Sequence, residues 1–345
     1  MPNYQIIANQ LFQISNCDDL KKAYDSLTGE GTTATQQATF DMRSQFFDAV
    51  LNDTDSLANC SREPYEATRV ECKKLERVWA SASRLNVWQD GNSNSASSFA
   101  GAYNLTGGYE KLVQPYLMLG LAAGIGSSNF DVADRWTSGS VTGANFAAYG
   151  AVTSDVGLYL KGAVSVGAFV NDYTRYALGN MVAASHDTTA LGGKSEVGMR
   201  RQLGFLGITP FVAAQIDELS QPAYNEDNTV YGNRFETMRQ MSRLTSSGIQ
   251  LDSLFEVAGY QISPMAKVSW SHEASLQRSL IASSLAAPGY YWRVDGISPA
   301  ANLTRYDLGL RGRLDNAVEL GAKASFVRSS TRNSNSGELS LTVRF

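Results

Sequence analysis

Two histidines and three cysteines are the side chains best suited to bond-making chemistry in this sequence, and their spacing gives them few partners. His272 stands in Trp270-Ser271-His272-Glu273, yet a Ser-His-Asp constellation needs a convergent set of groups, and His186 is the only other histidine. His272 therefore reads as a strand residue. There is no Gly-x-Ser-x-Gly elbow, no His-Glu-x-x-His pair, no Cys-x-x-Cys and no phosphate loop. No enzyme activity, cofactor or metal site is expected. Cys17, Cys60 and Cys72 are an odd set. Pairing Cys60 with Cys72 would close a small loop with a chain-entropy gain of about 3 kcal/mol. Three unpaired or mispaired thiols are the alternative, and so few histidines argue against metal ligation.

What the sequence does repeat is charge on alternate residues. Asp252, Glu256, Glu273, Arg305, Asp307, Arg311, Arg313 and Lys323 all fall on the polar side of alternating stretches. The pattern is plainest at the end of the chain. Leu339, Leu341, Val343 and Phe345 alternate with Glu338, Ser340, Thr342 and Arg344, so one face of a strand is apolar and the other polar. About twelve such strands can be read. They fall near residues 77–87, 98–109, 116–127, 141–151, 156–171, 196–205, 208–217, 249–260, 265–274, 304–314, 318–326 and 337–345. Tight connections recur at one end of these strands. Long polar ones at the other are expected at 171–193, 219–245 and 276–302.

The 345 residues carry a net charge of -4, which argues against a nucleic-acid surface. Length alone does not separate one domain from two. No window approaches the run of about eighteen apolar residues that a spanning helix needs. A transmembrane barrel remains, because its strands are apolar on one face only. Short turns on one rim, long loops on the other and aromatics near strand ends, as at Tyr260, Tyr306, Phe326 and Phe345, fit that class. In hydrocarbon each unpaired backbone group costs several kcal/mol, so the first strand must pair with the last. The expected fold is an all-β membrane protein, a 12-stranded antiparallel barrel. Residues 1–14 lack the pattern of a signal peptide, which suggests the C-terminal part of a longer precursor.

Residues 18–52 differ from the rest. Asp18 or Asp19 can cap a short helix that Thr28 and Gly29 stop. A second helix is expected at 31–52, with Ala38, Met42, Phe46, Ala49 and Val50 on one face and Thr35, Gln36, Thr39, Arg43 and Asp48 on the other. A barrel of this size leaves a lumen that one helix of roughly 10 Å diameter can plug. A helix docked on the side of the sheet is the other reading. The alternating charges then have two readings as well: a solvated lumen wall, or contacts to the helix with Arg43 and Asp48 as opposite numbers.

Several motifs in order resemble the translocator domain of classical monomeric autotransporters, the type V secretion proteins of Gram-negative bacteria. They are Leu27-Thr28-Gly29-Glu30-Gly31-Thr32 followed by Phe46-Phe47-Asp48-Ala49, Asp134-Arg135 with Thr137-Ser138-Gly139, and Thr209-Pro210-Phe211. Trp270-Ser271-His272-Glu273, Ala287-Pro288-Gly289 with Val294-Asp295-Gly296, and the terminal Phe345 complete the set. The cysteines and residues 53–70 depart from that pattern. The resemblance implies a residual linker or passenger end at 1–17, a linker with lumen helix and connector at 18–70, and a barrel at 71–345. It implies export of an N-terminal passenger and an outer-membrane location, with long loops extracellular and both barrel termini periplasmic. Outer-membrane lipids, the barrel-assembly machinery and the chain's own passenger are the implied partners of a monomer. Leu339, Leu341, Val343 and Phe345 match the assembly signal of such barrels. Some relatives cut their own linker at an asparagine, but Asn16 and Asn52 are not in a junction of that kind. A free-standing pore and an adhesin acting through its loops are the rival functions.

Overall fold

The structure is a computed structural model that describes residues 3–52, 76–92, 95–114, 116–314 and 317–345. The expected Cys60–Cys72 pair lies outside the described residues. Twelve antiparallel strands close into one barrel. In order they are β1 (Glu76–Gln89), β2 (Ser98–Gln114), β3 (Leu117–Val132), β4 (Thr137–Thr153), β5 (Leu158–Ala177) and β6 (Asn180–Met199). The second half comprises β7 (Leu206–Gln221), β8 (Met238–Ser253), β9 (Tyr260–Glu273), β10 (Asn302–Arg313), β11 (Val318–Arg328) and β12 (Arg332–Arg344). Closure is made where β1 pairs with β12, from Arg77 opposite Arg344 to Gln89 opposite Arg332.

Burial is inverted relative to a water-soluble sheet. Leu119, Leu121 and Ile125 of β3 are 49%, 65% and 61% exposed, whereas Met118 and Ala122 between them face inward and are buried. The same holds on β12, where Leu339, Leu341, Val343 and Phe345 point outward while Thr342 and Arg344 are buried. Two solvents on the two faces of one strand explain the alternation. Among the described residues no helix is long and apolar enough to cross a membrane.

One rim carries short connections throughout. The other is more varied than the sequence suggested. Residues 171–193 are not a loop: β5 and β6 run on beyond the apolar band and join at Leu178–Gly179, both at positive φ (48° and 78°). That is the geometry of a two-residue hairpin turn. Residues 222–237 and 274–301 do form long loops, and they fold together. Tyr224–Asn225, Asn233–Phe235, Ser279–Ser284 and Tyr291–Asp295 make a second, four-stranded sheet around Phe235, Leu280, Ala282 and Val294. This sheet is a lid on the long-loop rim.

Ahead of the barrel lie α1 (Asn3–Phe12), α2 (Cys17–Thr28), a short 3-10 turn (Glu30–Thr33) and α3 (Ala34–Asn52). α1 has no counterpart among the expected elements. Asn16, rather than Asp18 or Asp19, caps α2 by accepting the Asp18 amide, and the two aspartates sit in the first turn where the helix dipole favours them. Gly29, at φ 75°, ends α2 in the left-handed conformation that favours glycine.

Candidate functional site

Among the described residues, buried polar chemistry concentrates in the lumen and on the helix it holds. At 19 residues α3 extends about 28 Å, enough to run most of a bilayer's hydrocarbon depth. It is pressed against β2 to β5. Phe46, Phe47, Val50 and Leu51 meet Trp79, Met118, Ala122, Ala147 and Tyr149, and nearer the lid Ala38, Phe40 and Met42 join Leu85, Phe130, Val141 and Phe169. Close approach depends on Gly124, where an added Cβ would come within 2.8 Å of the Phe46 ring. The opposite side of α3 faces a polar cavity of about 210 Å³, lined in part by Asp41, Asp48, Lys194, Glu196, Lys267 and Arg305.

Among the described residues, four ion pairs made by three of its side chains fix α3. The Arg43 guanidinium donates to Asp217 on β7 at 2.7 Å and to the Asn145 side chain on β4 at 2.9 Å. Asp48 accepts from Lys194 on β6 at 2.5 Å and from Arg305 on β10. Asp41 accepts from Arg332 on β12 at 2.5 Å. The partners come from β4, β6, β7, β10 and β12, so the helix is tied to the wall on several sides. At its C-terminus, Arg311 donates to the Asn52 carbonyl at 2.9 Å, meeting one of the carbonyls a helix leaves unpaired.

The other residues singled out in the sequence are distributed as follows. Thr35 and Thr39 are buried on α3 and donate at 2.8 Å to local backbone, Thr35 to the Thr32 carbonyl of the preceding 3-10 turn and Thr39 to the Thr35 carbonyl. Gln36 is buried. Asp307 and Lys323 lie in the wall, against Arg305 at 2.7 Å and Glu338 at 2.6 Å. Glu273 bonds the Arg243 amide at 2.8 Å at the long-loop rim. Asp252 and Arg313 belong to the short-turn rim, where they pair with Arg200 and with Glu319. Glu256 is not in the lumen wall: it is exposed in a hairpin that Ala258–Gly259 close with positive φ, below the end of β8. The strand expected at 249–260 ends at Ser253, before this turn. Asp217, Lys194 and Arg332 hold the helix, and sequence reading did not single them out as partners.

At the long-loop rim the chain entering α3 is enclosed. Asn233 of the lid donates to the Leu27 carbonyl at 2.9 Å, Arg175 on β5 donates to Ser26 at 2.7 Å, and Phe235 lies against Gly29. Glu30 takes the Arg135 guanidinium and the Ala96 amide. Burial raises the Glu30 carboxyl above its ordinary value, with Arg135 pulling the other way. The buried Arg175–Glu226 pair braces this collar at 2.5 Å.

A closed barrel threaded by its own N-terminal helix is what the family comparison then meets. The model of the autotransporter beta-domain family matches residues 78–325. The chain belongs to the autotransporter β-domain family. Among solved structures, the translocator domain of the autotransporter NalP from Neisseria meningitidis matches this β-domain at TM-score 0.70 and 16% identity, over 90% of this chain and 98% of that one. The beta domain of the Bordetella autotransporter BrkA matches at TM-score 0.64 and 17% identity, over 79% and 100%. The transport unit of AIDA-I from Escherichia coli matches at TM-score 0.57 and 14% identity, over 84% and 96%. At these identities the likeness is one of fold. No curated protein matches the β-domain by sequence.

Proposed function

We propose that this β-domain, an outer-membrane translocator, carries an N-terminal passenger through its lumen and keeps α3 there afterwards as a stopper. The observation that carries the reading is the path of the chain. Phe345 bonds Glu76 at the short-turn rim, and Arg311 holds the end of α3 toward that rim. The start of α3 and the end of α2 lie at the other rim, against the lid. Anything attached ahead of α2 thus lies at the opposite rim from the start of β1.

In this reading the long-loop rim faces the exterior, and both termini of the barrel, the start of β1 and the end of β12, face the periplasm. The barrel works as a monomer, since each backbone edge is paired within one chain. Leu339, Leu341, Val343 and Phe345 present the outward apolar strand on which assembly machinery acts. A protease-sensitive reporter placed ahead of residue 1, behind a signal peptide, tests the proposal in Gram-negative cells. Digestion of the reporter by protease added to intact cells is expected. A reporter that stays protected while the barrel itself reaches the outer membrane would defeat it.

A further inference from the structure

On the outer surface, β1, β12 and β11 each change from apolar to polar toward the long-loop rim, β1 at Arg84 and β11 at Arg328, which stands opposite Asn333 and so four residues nearer that rim. Outward residues run Val78, Ala80, Ala82, then Arg84 on β1; Leu341, Leu339, Gly337, then Asn335 on β12; and Ala322, Ala324, Phe326, then Arg328 on β11. Arg84 stands opposite Gly337, which stands opposite Ala324. Small side chains at these positions leave a shallow groove of about 710 Å³, with Leu308 and Leu339 among its walls.

Both arginines are exposed, and among the described residues neither pairs with a carboxylate. Arg84 lies over the Tyr103 ring at 5.0 Å. Arg328 lies over Phe326 at 6.0 Å and donates only to neutral oxygens, the carbonyls of Val327 and Ser334 and the Asn335 side chain, at 2.9 to 3.1 Å. An arginine facing lipid without a counter-charge is unfavourable, and the penalty falls toward the interface, where phosphate is available. The three Arg328 bonds all leave from Nη1, so its Nε and Nη2 can face an anion together with the Arg84 guanidinium in a planar, charge-assisted contact.

We propose that this face is a binding site for a phosphate-bearing lipid of the leaflet at the long-loop rim, its headgroup held by Arg84 and Arg328 and an acyl chain in the groove. The site depends on the barrel lying in a membrane and not on export. A second copy of the chain suits the face poorly. Two such surfaces would bring arginine to arginine, and the acidic residue at the groove, Glu338, is already paired with Lys323 at 2.6 Å.

Native mass spectrometry of the detergent-purified full chain tests this with phosphatidylglycerol, phosphatidylcholine of the same acyl chains, and inorganic phosphate. Phosphatidylglycerol should remain bound under conditions that strip phosphatidylcholine. The Arg84→Gln/Arg328→Gln variant should bind it roughly thirty-fold more weakly, taking each basic residue near the surface at its usual worth. Gly337→Leu, at a position with no heavy atom within 4 Å of an added Cβ, should fill the groove and weaken lipid binding without touching the charge. Heat-modifiable gel mobility shows that each variant is a folded barrel. Equal retention of the two lipids would overturn the proposal, as would unchanged binding in the double arginine variant. Competition by inorganic phosphate at matched concentration, insensitivity to Gly337→Leu, or a dimer in place of a lipid adduct would each overturn it too.

Discussion

Replacing Arg43 by methionine tests how the stopper is held. The Arg43 and Asp217 side chains are 0% and 1% exposed and 2.7 Å apart, so the pair is buried despite the wet cavity nearby. Methionine keeps much of the volume beside Phe47 but leaves Asp217 with only Gln215, at 2.7 Å, as a hydrogen-bond donor. Breaking one side of a buried pair costs about 3–5 kcal/mol, which raises the ratio of open to plugged barrels by roughly two to four orders of magnitude. Single-channel recording in planar bilayers reads that ratio as open probability. The unaltered chain should show low, intermittent current, and Arg43→Met should show long openings. Arg43→Met combined with Asp217→Leu should return most of the way, since no charge is then left uncompensated. If Arg43→Met and Asp217→Asn each record like the parent, or if the double variant is more open than the two effects added, the pair does not anchor α3.

Gly124→Leu should push Phe46 off the β3 wall and raise open probability, and Phe46→Ala in the same chain should offset much of the effect. Phe235→Ala with Trp292→Ala removes a fully buried ring and a partly buried one from the lid, a loss of about 3–5 kcal/mol for a fully buried aromatic, and limited proteolysis should then cut faster within residues 26–33. With Cys60 and Cys72 changed to serine, the exposed Cys17 on α2 should react with a membrane-impermeant maleimide on intact cells. Labelling only after lysis would reverse the proposed orientation. The Glu30 carboxyl is raised in the folded state, so its contribution to the collar is most favourable below the ordinary carboxylate value and is lost as pH rises through the raised one. Protease resistance of residues 26–33 should therefore weaken from about pH 4 to pH 7, and Glu30→Gln should flatten that slope.

The barrel strands were legible because lipid and lumen impose different side chains on alternate positions, as Leu119 and Leu121 beside Met118 and Ala122 show. Above the apolar band that signal fades. Both faces of a strand are then wet, and residues 171–193, rich in Asn, Asp, Ser and Thr, read as a loop although β5 and β6 continue through them. The turn at Ala258–Gly259 carries only a weak turn signature, which is why Glu256 was assigned to the wall. The helix was visible from its spacing, but its partners were not. Asp217, Lys194 and Arg332 lie far from α3 in sequence, and only closure of the barrel brings them to Arg43, Asp48 and Asp41. The lid was invisible for a similar reason: its two loops are far apart in sequence and pair through strands of two to six residues.

A closed, lipid-embedded barrel that keeps its own leading helix in its lumen must conduct poorly until that helix is removed. Conductance of the full chain beside that of a chain lacking residues 1–52, in the same planar bilayers, addresses it most directly. Low and intermittent current from the first, with a large steady step from the second, is the expected result. Full conductance from the intact chain, unchanged by the deletion, would mean that the lumen was never stopped.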